Sequence, residues 1–85
     1  MAELTEPTDL SGLTDLVADV LQTPAVEVTE ETGPATTAAW TSLRHVQIVS
    51  RVERTYGIRL TAREVRACRS VGALRAVLTA KRGTP

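Results

Sequence analysis

Three side chains in this 85-residue chain are the first candidates for chemistry: Ser42, His45 and Cys68. Ser42 stands in Trp40-Thr41-Ser42-Leu43, at the head of a stretch that runs to Tyr56 without Gly or Pro. Thr41 and Ser42 are both good N-terminal caps. A serine here turns its hydroxyl outside the first helical turn, toward solvent. A phosphate carried on it would lie beside unpaired backbone N–H groups and the positive end of the helix dipole. The plainer alternative is that Ser42 only caps the helix. His45 follows three residues later, which raises the question of a Ser–His pair. No acid is placed to orient the imidazole and no glycine turn supplies an oxyanion hole, so no catalytic residue is expected. A hydrogen bond to the preceding loop is the expected role of His45. Cys68 is the single cysteine, so neither an internal disulfide nor a metal site is expected. It reads as a small core hydrophobe; only exposure beside its neighbouring arginines would make it reactive.

The helix that must position Ser42 is amphipathic. At 100° per residue, Val46, Val49, Val52 and Tyr56 share one face with Glu53 at its edge, and Leu43, Arg44, Gln47, Arg51 and Arg54 share the other. Trp40 is expected to pack, half-buried, against the helix start. Upstream, Leu10, Leu13, Leu16, Val17, Val20 and Leu21 follow 3–4 spacing and predict a first helix from Asp9 to Gln22. Gly12 inside it would cost ~1 kcal/mol relative to Ala, and Pro24 stops it. From Thr23 to Thr41 no helical period survives, and Val26 and Val28 are the residues expected to pin this loop to the core. A loop so long is uncommon in a compact domain and is often functional. Downstream, Gly57 ends the central helix and Ile58 and Leu60 tuck inward. Thr61-Ala62-Arg63-Glu64 is a capping-box pattern opening a short third helix to Ala67, with Val65 and Cys68 inward. Ser70 caps a last helix with the stripe Val71, Leu74, Val77 and Leu78, and Lys81 and Arg82 suit its C-terminal end before Gly83.

Composition narrows the class. One small domain with 42% hydrophobic and 24% charged residues is globular and too apolar to be disordered. Trp40 and Tyr56 are the only aromatics, so the core must be aliphatic. The acidic N-terminus has no apolar run for a signal peptide, and no stretch approaches the ~20 apolar residues of a membrane span. A soluble, cytoplasmic protein is expected. The net charge of zero conceals a division: eight acidic and no basic residues up to position 40, then ten basic and two acidic. Two halves neutralising each other fit this better than a nucleic-acid surface. A helix-turn-helix reading through Arg63, Arg66 and Arg69 is the alternative. Zero net charge, an acidic first helix and a short third helix count against it.

Trp40-Thr41-Ser42-Leu43 resembles the Trp-Asp-Ser-Leu often seen in acyl carrier proteins of the discrete polyketide type. Val52-Glu53-Arg54-Thr55-Tyr56-Gly57-Ile58 looks like that family's acidic-aromatic-glycine ending of helix two, and Arg69-Ser70-Val71-Gly72-Ala73-Leu74 like its approach to helix four. The likeness covers about residues 9–82, with 1–8 as a lead-in and 83–85 as a tail. It implies an all-α four-helix bundle with three longer helices, a short third and a long first loop, which answers the objection to that loop. It also implies a 4'-phosphopantetheine arm grafted onto Ser42 by a phosphopantetheinyl transferase. The thiol of that arm would carry an acyl group as a thioester between an acyltransferase, a ketosynthase or other acyl-processing enzymes. The carrier itself would be non-catalytic, most simply a monomer, with no nucleic-acid or membrane partner. Peptidyl carriers usually place Gly-Gly and His or Asp before the serine, and Ala38-Ala39-Trp40-Thr41 does not. Partners would dock on Thr41, Leu43, Arg44, Gln47, Arg51 and Arg54, and cargo would line up with Val49, Val52, Leu60, Val65 and Cys68. Two departures stand out. Thr41 replaces the family's aspartate, which leaves a second alternative, a carrier-like fold that is not modified and serves only as an interaction module. The usually acidic outer face of helix two is basic, so a partner with an acidic or apolar patch is expected.

Overall fold

A computed structural model describes residues 12–83. The lead-in, Asp9, Leu10 and the Arg82 side chain lie outside the described residues. The order is α1 (Leu13–Leu21), a 3₁₀ turn (Ala25–Glu27), α2 (Ser42–Tyr56), α3 (Ala62–Ala67) and α4 (Val71–Gly83), with no strand among the described residues. This is the all-α arrangement of three longer helices and a short third.

Helix α1 starts later than its periodicity suggests. Gly12 is its N-cap and lies outside the helix interior, so the expected glycine cost does not arise there. Its other end closes through Gln22, which takes the left-handed conformation (φ 58°) and donates its N–H to the Asp19 carbonyl at 3.3 Å. The sharp reversal lets Pro24 open the 3₁₀ turn. That turn divides the two valines expected to anchor the loop. Val28 is buried, whereas Val26 is 87% exposed, because the turn sends Ala25 inward against the core and Val26 outward.

The long first connection is built from turns and is strapped to the start of α4. The first amides of a helix have no partner within it. Here Val71 N–H donates to the Thr32 carbonyl and Gly72 N–H to the Glu30 carbonyl, each at 2.9 Å, while Ala73 N–H donates to Ser70 Oγ at 3.0 Å. Gly33 lies so close beneath Arg69 that a Cβ would overlap the Arg69 carbonyl.

The aliphatic core joins Leu13, Val17 and Leu21 of α1, Ile48 and Val52 of α2, and Val71, Leu74 and Leu78 of α4, with Trp40 and Cys68 also buried. α2 and α4 both pack on α1, and α3 packs on α4. Two expectations for α2 need correction. Val46 is 62% exposed, and Ile48, which the expected inner face omits, is fully buried. At 100° per residue Ile48, Val52, His45 and Tyr56 fall within one narrow arc, while Val46 lies about 120° around from Val52. Trp40 is also deeper than expected, buried rather than half-buried.

Candidate functional site

Thr41 and Ser42 divide the work at the head of α2. Thr41 is the N-cap, extended at φ −82° and ψ 173°, and its hydroxyl accepts the Arg44 N–H at 3.1 Å. Its carbonyl accepts the His45 N–H at 2.8 Å, the first bond of the helix. Ser42 is therefore the first residue inside the helix, and its side chain is exposed. Neither the Ser42 nor the Leu43 amide has a partner among the described residues, as expected of a helix start. The hydroxyl is free of capping duty and faces an electropositive backbone.

His45 is fully engaged. The Trp40 indole, a donor only, gives its Nε1–H to His45 Nδ1 at 3.0 Å. The imidazole proton therefore sits on Nε2 and is donated to the Val65 carbonyl at 2.9 Å. The expected bond to the preceding loop is thus one of two, and the second ties the first turn of α2 to α3. With both nitrogens in use, the ring has nothing left to activate Ser42.

The partner-facing residues expected on α2 separate by what they touch. Leu43, Gln47 and Arg54 are exposed, Leu43 at 65%. Arg44 instead turns back, its Nη1 donating to the Leu21 carbonyl at 3.2 Å, where it completes the C-terminal end of α1. Arg51 pairs with Asp19 at 2.9 Å across the helix interface. Two depressions flank α2. A cleft of about 580 Å³ opens beside Ser42 and Trp40, with Pro34, Val46, Arg66 and Arg69 on its other sides. The second, about 520 Å³, lies against α1 with Gln47, Ser50, Arg51 and Arg54 in its wall. Val46 belongs to both, so the apolar residue turned away from the core forms the ridge between them.

Of the residues expected to line a cargo channel, Val52 and Cys68 are fully buried, Val49 is buried, and Leu60 and Val65 are half-buried. Cys68 donates its Sγ–H to the Glu64 carbonyl at 3.1 Å. Burial, with the Glu64 charge adding to it, pushes the thiol up to about 11. The neighbouring arginines do not activate it, because the sulfur lies within the core.

Sequence reasoning missed the work of Glu53. Its carbonyl accepts the Gly57 and Ile58 amides, and its Oε2 accepts the Leu60 N–H at 2.9 Å, so one residue shapes the whole α2–α3 connection. The acidic residue before an aromatic-glycine ending was the available signal. Lys81 likewise does more than sit at a helix end, since its Nζ reaches Glu64 Oε1 at 2.8 Å.

An exposed serine hydroxyl at a helix start, two unpaired amides and a cleft with no carboxylate in its wall fit a tethered phosphate group. A family model described as the phosphopantetheine attachment site matches residues 11–78. Polyketide-8 synthase acyl carrier protein 2 of Streptomyces avermitilis is 35% identical over 75 residues, covering 88% of this chain and 86% of that protein. No solved structure matches the chain at comparable stringency. The chain belongs to the phosphopantetheine-binding carrier family, whose prosthetic group is a covalently attached 4'-phosphopantetheine. Among the described residues no helix is long and apolar enough to cross a membrane.

Proposed function

We propose that this chain is a cytoplasmic, monomeric and non-catalytic acyl carrier of polyketide biosynthesis, with its arm on Ser42. The family match and the polyketide relative support the carrier role. The observation that carries the choice of Ser42 is its exposed hydroxyl on the first turn of α2, freed by the Thr41 cap. In the modifying step Ser42 Oγ loses its proton and bonds to the phosphorus nearest pantetheine in coenzyme A. The bond to the nucleotide phosphate breaks, and adenosine 3′,5′-bisphosphate leaves. The group supplies a terminal thiol that holds acyl units as thioesters. The protein contributes position: a rigid helix end presenting the arm to each enzyme at high effective concentration.

Partners include a phosphopantetheinyl transferase and acyltransferase or ketosynthase enzymes. Their docking face is the exposed set Thr41, Leu43, Gln47 and Arg54, with Arg44 and Arg51 as a partly committed basic margin. Leu43 is the apolar anchor and Arg54 the free charge, which suits a partner surface that is apolar with an acidic rim. Cargo would enter between α2 and α3 along Val49, Leu60 and Val65, with Val52 and Cys68 as its floor. A DNA-reading role is disfavoured because α3, at six residues, is too short for a recognition helix.

Intact mass after incubation with coenzyme A and a broad-specificity transferase tests the reading. Wild type gains the mass of one arm and Ser42→Ala gains none. A wild-type chain that gains nothing, while a known carrier in the same tube is modified, leaves a helical interaction module instead.

A further inference from the structure

The cleft beside Ser42 differs electrostatically from the rest of the α2 surface. Two basic side chains stand in its wall, Arg66 in the last turn of α3 and Arg69 just beyond it. Both are exposed, and neither guanidinium has a hydrogen-bond or ion-pair partner among the described residues. Three other arginines are spent, Arg44 on the Leu21 carbonyl, Arg51 on Asp19 and Arg75 on Glu30, while the exposed Arg54, Arg59 and Arg63 do not line this cleft. Trp40, Val46 and Pro34 supply its apolar lining, Thr41, Ser42 and His45 the remainder, and no Asp or Glu lines it. Thr41, where the family's aspartate would put a negative charge, leaves the head of α2 uniformly positive. A volume of about 580 Å³ falls within the ~300–1,000 Å³ typical of small-molecule sites.

We propose that this cleft is a clasp for the protein's own arm: Arg66 and Arg69, with the free amides of Ser42 and Leu43, hold the phosphodiester, and the Trp40–Val46 side takes the carbons next to it. The inference rests on Ser42 being the attachment site and goes beyond it. The arm of this carrier is held by charge at its root, between α2 and α3, and only its distal part swings. Guanidinium forks suit phosphate oxygens, and charge-assisted bonds are about twice as strong as neutral ones. Because both arginines are exposed, salt weakens the clasp. Placement of the two residues is also what couples the clasp to the fold, since α3 is fixed to α2 through His45 and Val65.

The test uses the modified protein, with the mass gain confirmed first. In ¹⁵N-labelled samples the Arg66 and Arg69 Nε–H and Trp40 Nε1–H signals should shift between the unmodified and modified forms. The ³¹P line of the arm should be broad in low salt and narrow in high salt. Arg66→Gln with Arg69→Gln should give the narrow ³¹P line at every salt concentration and abolish the Trp40 shift, while its thermal melt stays that of wild type. Free phosphopantetheine added to Ser42→Ala should shift the same three signals, weakly and reversibly, which separates the cleft's affinity from the covalent link. A chain that gains no mass overturns the attachment reading and the clasp together. A chain that gains the mass, yet shows a narrow ³¹P line and unmoved arginine and indole signals, overturns the clasp alone.

Discussion

At the residue scale, small polar side chains at the head of α2 carry separable duties. Thr41 holds the helix end while Ser42 stays free, so Thr41→Ala should cost about 0.5–2 kcal/mol of stability, read from urea unfolding, without removing the hydroxyl that accepts the arm. His45→Ala should leave both the Trp40 indole N–H and the Val65 carbonyl without partners, at about 1–3 kcal/mol for each group that stays buried. Cys68 contributes to stability at alkaline pH. Its thiol titrates near 9 when unfolded and near 11 when folded, so the unfolded chain gives up its proton first. Stability from this group is complete below pH 9 and is lost as pH rises toward 11. Cys68→Ala should flatten that alkaline fall in a pH series of thermal melts, even as it lowers stability at neutral pH by leaving a small void.

At the scale of the element, α2 is defined by its ends and by the phase of its buried strip. Gly57 takes φ 65° at the C-terminal end, so Gly57→Ala should destabilise by roughly 1 kcal/mol, since a side chain with Cβ resists that conformation. Both ends were legible, because caps are local chemistry written in adjacent residues. The phase was less so. Val46 and Ile48 are both apolar and only two positions apart, and nothing local says which one meets α1. Packing chose Ile48, whose replacement by Ala should cost about 2–5 kcal/mol, against little for Val46→Ala. Docking belongs to this scale too. Arg54→Glu should slow association with the cognate enzyme severalfold, an effect that fades in high salt. Arg51→Glu is the poorer probe, because it also breaks the pair with Asp19.

At the scale of the whole molecule, the acidic first half and basic second half close on each other. Arg51–Asp19 and Arg75–Glu30 each span the division, and Lys81–Glu64 fastens α4 to α3. The Arg75 hydrogen bond holds the Glu30 carboxyl below its usual 4.5, and the Lys81 hydrogen bond, with the Thr61 amide, does so for Glu64. Both groups therefore stabilise the fold above the ordinary carboxylate value and lose that contribution as pH falls from there through their lowered folded values. Glu30→Gln should flatten this acid limb in denaturant titrations taken at successive pH values. The strap of the first loop over α4 is the other global feature. Gly33→Ala should loosen it and expose Thr32 and Val71 amides to hydrogen exchange, because a methyl group has no room beneath the Arg69 carbonyl.

By itself the sequence determined the four helices, the Thr61–Glu64 capping box, the turn at Gly57 and the serine that heads α2. Each is specified by residues within a turn or two of one another, where propensity and capping act. Only the tertiary structure decided which arginines are committed to carbonyls and carboxylates and which remain free, that Trp40 is buried and bonded to His45, and that Val26 and Val46 face outward. Those outcomes depend on which helix lies opposite, a pairing made through space between positions twenty to forty-five residues apart.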